Sequence, residues 1–172
     1  MRVSPLALAF ATLMVLPGQG FADPIDDCNS NTAEYIIAGC TTLIDGGKTS
    51  DEALAVAHFN RANALDDKGD HDGAIADYTA SIKLKPDYVD TYLNRGLAYQ
   101  DKKDYENALA DFTRAIALKP DFARAFYARA RVYDEQGDLQ QALAGYEEAA
   151  KYAPNNQDVQ KRLAEVKQKL GQ

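Results

Sequence analysis

One spacing constrains this chain more than any other feature of its sequence. Prolines stand at Pro86, Pro120 and Pro154, each 34 residues after the last, and the residues ahead of them align without gaps. A fixed period of this length is typical of supersecondary units that stack on one another. The segments 55–88, 89–122 and 123–156 therefore read as three tandem copies of one unit.

The aligned positions predict that each copy is a pair of packed helices. Apolar residues recur three and four apart, as amphipathic helices require. Small residues mark the close approach of the two helices, and an aromatic column fills the space beside them: Ala62, Gly96, Ala130; Tyr78, Phe112, Tyr146. Arginines repeat at the same period, and we expect two of them to pair with carboxylates across the hairpin: Arg61 with Asp77, Arg95 with Asp111.

The turn residues predict where the helices begin and end. An aspartate precedes each second helix, where its short side chain can cap free backbone N–H groups: Asp70, Asp104, Asp138. Pro86-Asp87 and Pro120-Asp121 end one helix, and we expect their aspartates to start the next.

This pattern resembles the tetratricopeptide repeat (TPR), a helix–turn–helix unit of 34 residues. The resemblance covers residues 55–156 and departs from the family in two ways: no Trp opens a repeat, and arginine stands where leucine is commonest. It implies an all-α fold, a right-handed superhelical solenoid of antiparallel helix pairs. It also implies that the first helix of each repeat lines a concave groove.

The segments on either side of the repeats extend the stack. Residues 157–172 have apolar residues on one side only and are predicted to form a capping helix that seals the open end. Ile36–Ile44 aligns with Ala74–Ile82, so residues 23–52 are predicted to be a half repeat that retains only its second helix. Our hypothesis is that a Cys28–Cys40 disulfide ties down the segment replacing the missing helix.

The first 22 residues predict export. Arg2 precedes an apolar run over 6–16, and Gly20-Phe21-Ala22 places small residues where a signal peptidase reads them. Eleven apolar residues are too few for a membrane span, which needs roughly 20. We expect a mature chain that starts at Asp23 and does not insert into a membrane, in the periplasm or secreted. An even cysteine count in an exported chain favours a disulfide.

The charge of the chain excludes one class of partner. The sequence has 19 basic and 26 acidic residues, and loss of Arg2 leaves 18 − 26 = −8. Nucleic-acid affinity comes largely from basic charge, so we expect a protein partner rather than nucleic acid.

The resemblance places ten candidate partner-binding residues on the first helices. Three of them form a repeated apolar column, which is either a docking strip or packing between repeats: Phe59, Leu93, Tyr127. The others are polar, charged or apolar neighbours in the groove: Asn63, Asp67, Asn94, Leu97, Asp101, Arg124, Arg131. Asp67, Asp101 and Glu135 form an acidic column, which is either a preference for basic or neutral ligands or a solvated face.

Some TPR domains clamp the C-terminal carboxylate of a chaperone peptide. By column, Asn63, Asn94 and Arg124 match that clamp, whereas Phe59 and Ala128 replace two of its cations. We therefore expect no tight carboxylate grip. Binding of an extended peptide by the two asparagines remains an open alternative.

Residues that could carry catalysis do not converge in the sequence. The two histidines are His58, in an aromatic column, and His71, in a turn; metal-ligand spacing, a phosphate loop and a Cys-x-x-Cys pair are missing. We predict no enzyme, no cofactor and no metal, and a scaffold that binds a partner peptide or helix in the groove. The alternatives are a self-associating structural protein and a thiol redox protein.

Overall fold

A computed structural model describes residues 23–172, and the predicted signal peptide lies outside them. Within this range the chain is all helix, with no strand. The nine helices are α1 (Pro24–Cys28), α2 (Ala33–Gly46), α3 (Asp51–Asp67), α4 (His71–Leu84), α5 (Val89–Asp101), α6 (Tyr105–Leu118), α7 (Ala123–Glu135), α8 (Leu139–Tyr152) and α9 (Gln157–Lys169). Each helix packs mainly on its neighbours in sequence, as in a solenoid. None of these helices is long and apolar enough to cross a membrane.

Small residues hold the two helices of each repeat together. Ala62 and Ala74 are fully buried against each other's helices beside Tyr78. At Gly96 a Cβ atom would lie 2.6 Å from Cε1 of Phe112, so the ring occupies the space that a side chain would need. The predicted small-residue column is thus the seam along which the large aromatic column packs.

A buried ion pair crosses the helix hairpin in the first two repeats. Arg61 donates to Asp77 from Nε at 2.6 Å and from Nη2 at 2.8 Å, and His58 Nδ1 lies 2.8 Å from the same carboxylate. Arg95 makes the same fork to Asp111 at 2.8 Å. Bidentate guanidinium–carboxylate pairs are directional as well as strong, so they fix the register of the two helices.

The predicted capping is found at the turns within the repeats and not at the turns between them. Asp70, Asp104 and Asp138 each accept a bond from a backbone N–H in the first turn of the second helix. Asp87 and Asp121 do not start the next helices, so that expectation was wrong. Those helices begin after Tyr88 and Phe122, which provide no side-chain cap.

The N-terminal segment covers the open end of the stack. The sulfur atoms of Cys28 and Cys40 lie 2.07 Å apart, which joins α1 to α2. Gly39 permits this approach, because a Cβ atom there would lie 2.5 Å from the backbone nitrogen of Cys28. Asn60 Nδ2 donates to the carbonyl of Cys28 at 3.2 Å and attaches α1 to α3. The short helix α1 therefore takes the place beside α2 that a full first helix would occupy.

The C-terminal helix closes the other end. Asn156 caps α9 by accepting bonds from the backbone N–H groups of Asp158 at 3.0 Å and Val159 at 3.2 Å. Val159 and Val166 are buried against the third repeat. The side of α9 that faces away from the third repeat is polar, as expected for a helix that ends the stack.

Candidate partner-binding groove

The first helices of the three repeats, α3, α5 and α7, line two neighbouring cavities. The first, about 360 Å³, is mainly apolar and is lined by Leu93, Leu97, Ala123, Arg124, Tyr127, Ala128, Arg131, Ala153, Asn156, Asp158 and Val159. The second, about 400 Å³, is polar and is lined by Asn63, Asp66, Asp67, Tyr78, Asn94 and Leu97. Leu97 lines both cavities, so we treat them as one groove running from α3 to α9.

Two asparagines are held in fixed orientations in the polar half of this groove. The hydroxyl of Tyr78 donates to Asn63 Oδ1 at 2.6 Å, and Asn94 Nδ2 donates to the same oxygen at 2.8 Å. Burial, and then the nearby charge of Asp66, raise the pKa of Tyr78, so its hydroxyl remains a proton donor. Because Asn63 Oδ1 accepts both bonds, the Asn63 amide N–H groups and Asn94 Oδ1 are the groups left to bind a ligand.

The apolar half of the groove has a hydrophobic floor and cationic walls. Leu93 forms the floor with only 1% of its surface exposed, and the ring of the half-buried Tyr127 packs at a tilt against that of Tyr146, with the ring centres 5.6 Å apart. Arg124 lies 3.9 Å from Asp90, with its side chain 66% exposed, and Arg131 lies 3.7 Å from Glu135. Long, exposed contacts of this kind contribute little free energy, so both guanidinium groups can turn to a ligand.

The structure distributes the ten predicted groove residues unequally. Eight of them line one of the two cavities: Asn63, Asp67, Leu93, Asn94, Leu97, Arg124, Tyr127, Arg131. Phe59 and Asp101 line neither. Phe59 packs against two aromatic rings of its own repeat, 6.1 Å from that of Tyr78 and 4.8 Å from that of Tyr88.

The repeated apolar column is consequently not one exposed docking strip. Phe59 packs on the aromatic rings of its own repeat, Leu93 is a buried floor, and Tyr127 is a partly exposed wall of the apolar cavity. The carboxylate clamp is also incomplete, because two of its positions hold residues without a charge. Ala128 is buried and offers only a methyl group, and the Phe59 ring occupies the position of a clamp cation.

Sequence reasoning missed two contributors to the groove. The first is the Tyr78 hydroxyl, and the aligned columns hold a signal for it. Tyr78 and Tyr146 occur where the facing first-helix position is polar (Asn63, Arg131), whereas Phe112 occurs where it is Leu97. The second is the start of the capping helix, which closes the apolar cavity with Asn156, Asp158 and Val159.

Comparisons with known proteins agree with this architecture. Family models for the tetratricopeptide repeat match residues 89–122 and 123–156, and a TPR repeat model matches residues 62–103. Together these matches span 62–156, more than half of the 172 residues. The chain belongs to the tetratricopeptide-repeat proteins. A search of curated proteins finds no match.

Solved structures show the same fold. The first TPR domain of Spaghetti (RPAP3), bound to the HSP90 peptide SRMEEVD, is 26% identical with a TM-score of 0.68, over 73% of this chain and 100% of that one. A MamA fragment from Desulfovibrio magneticus RS-1 is 19% identical with a TM-score of 0.74, over 86% and 81%. The Arabidopsis OM64 TPR domain is 20% identical with a TM-score of 0.66, over 69% and 98%.

Proposed function

We propose that this protein is a scaffold that binds an extended segment of a partner protein in the groove between α3 and α9. The observation that carries the proposal is the fixed pair Asn63 and Asn94. It presents a free amide donor and a free carbonyl acceptor beside an apolar cavity. An extended peptide backbone offers the matching acceptor and donor along each edge.

The surrounding surface supports a peptide occupant rather than a small polar metabolite. The apolar cavity of about 360 Å³ is large enough for one or two apolar side chains, and it shares Leu97 with the polar cavity that the asparagines line. The groove is preformed, because Asn63 accepts one hydrogen bond from Asn94 and another from the core residue Tyr78. A preformed surface loses little conformational entropy on binding.

The RPAP3 domain gives a comparison for the ligand, since it binds the acidic peptide SRMEEVD. This chain keeps the asparagines but has Phe59 and Ala128 at two clamp positions. Its grip on a terminal carboxylate is therefore weaker, and the affinity must come from backbone bonds and apolar side chains instead. We infer a partner recognised through an internal or extended segment rather than through a free C-terminus.

We also propose that the scaffold works outside the cytoplasm, in the periplasm or as a secreted protein. The support is the leader-like composition of residues 1–22 and the two cysteine sulfurs at bonding distance. Disulfides persist in oxidising compartments.

Asn60 and Asn94 occupy the same position in successive repeats and provide a matched test of the binding proposal. We expect Asn94→Ala to weaken partner capture about tenfold, because it removes the free acceptor and one backbone bond. Asn60→Ala is the control: it is the same change one repeat earlier, but Asn60 bonds to Cys28 and Asn29 of the N-terminal segment rather than lining the groove. The measurement is quantitative affinity capture from envelope extract with the mature chain.

Equal capture by the two variants would contradict the groove proposal. If wild type captures only copies of itself, the self-associating structural protein becomes the better interpretation. Sedimentation velocity would then show a dimer that Asn94→Ala leaves unchanged.

A further inference from the structure

The three junctions between successive helix pairs can be compared position by position, because equivalent residues stand 34 apart in the sequence. Each junction brings together the end of one first helix, the start of its second helix and the end of the following helix. Stepping by 34, these positions are Asp66, His71 and Asp101 at junction 1; Gln100, Tyr105 and Glu135 at junction 2; Asp134, Leu139 and Lys169 at junction 3.

Junctions 2 and 3 pair a donor with a carboxylate across the repeat boundary. Gln100 Nε2 donates to Glu135 Oε1 at 2.6 Å, and Lys169 Nζ donates to Asp134 Oδ1 at 2.8 Å. The third position is filled by Tyr105 or Leu139, which pack against the hydrophobic clusters. Neither junction requires an added cation.

Junction 1 places two carboxylates at the positions of that donor–acceptor pair. Asp66 and Asp101 approach each other, and His71 replaces the tyrosine or leucine. One ligand atom from each of the three residues lies within 4.8 Å of the other two. His71 Nδ1 is 2.7 Å from Asp66 Oδ1. Two carboxylates at this separation repel each other unless a cation lies between them.

Two lysines close in sequence to this junction, Lys68 and Lys102, bond to carboxylates outside it. Lys68 donates to Glu34 at 2.7 Å, and Lys102 is bonded to Asp72. Junction 1 therefore combines two neighbouring carboxylates with an imidazole that contacts one of them at 2.7 Å, contributed by α3, α4 and α5.

We propose that Asp66, His71 and Asp101 form a binding site for a divalent first-row transition metal. An imidazole nitrogen and two carboxylate oxygens are donors that Zn²⁺ and its neighbours accept, whereas Mg²⁺ and Ca²⁺ favour oxygen alone. A 2+ ion cancels the charge of both carboxylates. The side chains of His71 and Asp66 are 31% and 21% exposed, which leaves the site open to solvent and to ion entry.

The bound ion would tie the first repeat to the second at the wall of the groove. Asp66 also lines the polar cavity that contains Asn63 and Asn94. Metal binding would fix the angle between α3 and α5, on which the spacing of those asparagines depends. The site itself stands on the junction geometry and does not depend on the proposed function.

The test is titration of the chelator-stripped mature chain with ZnCl₂ by calorimetry, with Co²⁺ absorption as a second readout. We expect one Zn²⁺ per chain, a melting temperature raised by several degrees, and no response to Mg²⁺. His71→Ala and Asp101→Asn should each weaken binding at least tenfold. Asp67→Asn is the matched control: it removes one negative charge beside Asp66 and should bind as wild type does.

A repeat-swap variant separates metal binding from simple charge neutralisation. Asp66→Gln combined with Asp101→Glu installs the pair of junction 2; it should melt higher than metal-free wild type and lose its response to Zn²⁺. The proposal is wrong if wild type shows no zinc binding while this variant is stabilised, because the His71 imidazolium alone then neutralises the pair. Equal zinc binding by wild type and His71→Ala would overturn it too, since the ion would lie elsewhere on the acidic surface.

Discussion

Replacing Asp77 with alanine is expected to lower the free energy of unfolding by about 3–5 kcal/mol. The carboxylate is 6% exposed and receives two hydrogen bonds from Arg61 and a contact from His58. Removing it leaves a half-buried guanidinium with no carboxylate partner. The measurement is urea unfolding, with hydrogen exchange to show that protection is lost first in α3 and α4.

The same carboxylate gives the loss a pH dependence. Burial alone would raise the pKa of Asp77, but the hydrogen bonds from Arg61 and His58 outweigh it and hold the pKa below the ordinary value of an aspartate. A lowered pKa in the folded state stabilises the protein above about pH 4, and this contribution is lost as the pH falls through the folded-state pKa. The difference in stability between wild type and Asp77→Ala should therefore narrow in acid.

The third repeat supplies the control for this prediction. Gly145 stands in the aspartate column, so the third repeat has no carboxylate at that position. Within residues 23–172, the one side-chain hydrogen bond that Arg129 makes is a 3.5 Å contact to Thr113. We expect Arg129→Gln to cost less than about 1 kcal/mol, as surface substitutions usually do. If Arg129→Gln were as costly as Asp77→Ala, the stability of the hairpin would not come from the ion pair.

Changing Cys28 and Cys40 together to serine is expected to cost about 3 kcal/mol. The two residues are 12 apart in sequence, and closing a loop of this size removes that much conformational free energy from the unfolded chain. The loss should be confined to the N-terminal end, with α1 released from α2 and partner capture unchanged. Urea unfolding of the variant, and of wild type in reductant, should give the same midpoint.

Thiol titration of the denatured, unreduced protein is the control. We expect no free thiol, and finding two would rule out the disulfide. Loss of partner capture together with the bond would favour the thiol redox protein over a structural role for the cysteines.

The repeat period was sufficient to predict the helix pairs, their seams and the first set of caps, because these depend on local pattern. Asp70, Asp104 and Asp138 cap as predicted, since a cap is decided within one turn of helix. Asp87 and Asp121 failed because nothing local distinguishes a capping aspartate from one left in the loop. The turn after each proline runs on to Tyr88 or Phe122 before the helix begins.

The groove was less predictable, because a column fixes where a residue lies and not which way its side chain turns. Phe59 and Leu93 share a column with Tyr127, yet of the three only Tyr127 is both partly exposed and part of the lining of these cavities. Contacts with other helices and turns decide this, as the packing of Phe59 on Tyr78 and Tyr88 shows, and the column does not encode them. The metal-binding cluster escaped the search for ligand spacing because its residues come from two repeats. Comparing the junction columns would have revealed the paired aspartates.

Site-specific photo-crosslinking tests the central claim most directly. Leu97 lines both cavities, whereas Glu106 is exposed on α6, none of whose residues lines either cavity. A photoreactive amino acid at position 97 should form a discrete adduct with a partner protein, and the same group at position 106 should not. Asn94→Ala should reduce the adduct at 97. Adducts of equal yield at both positions, or at 106 alone, would contradict a working site in the groove.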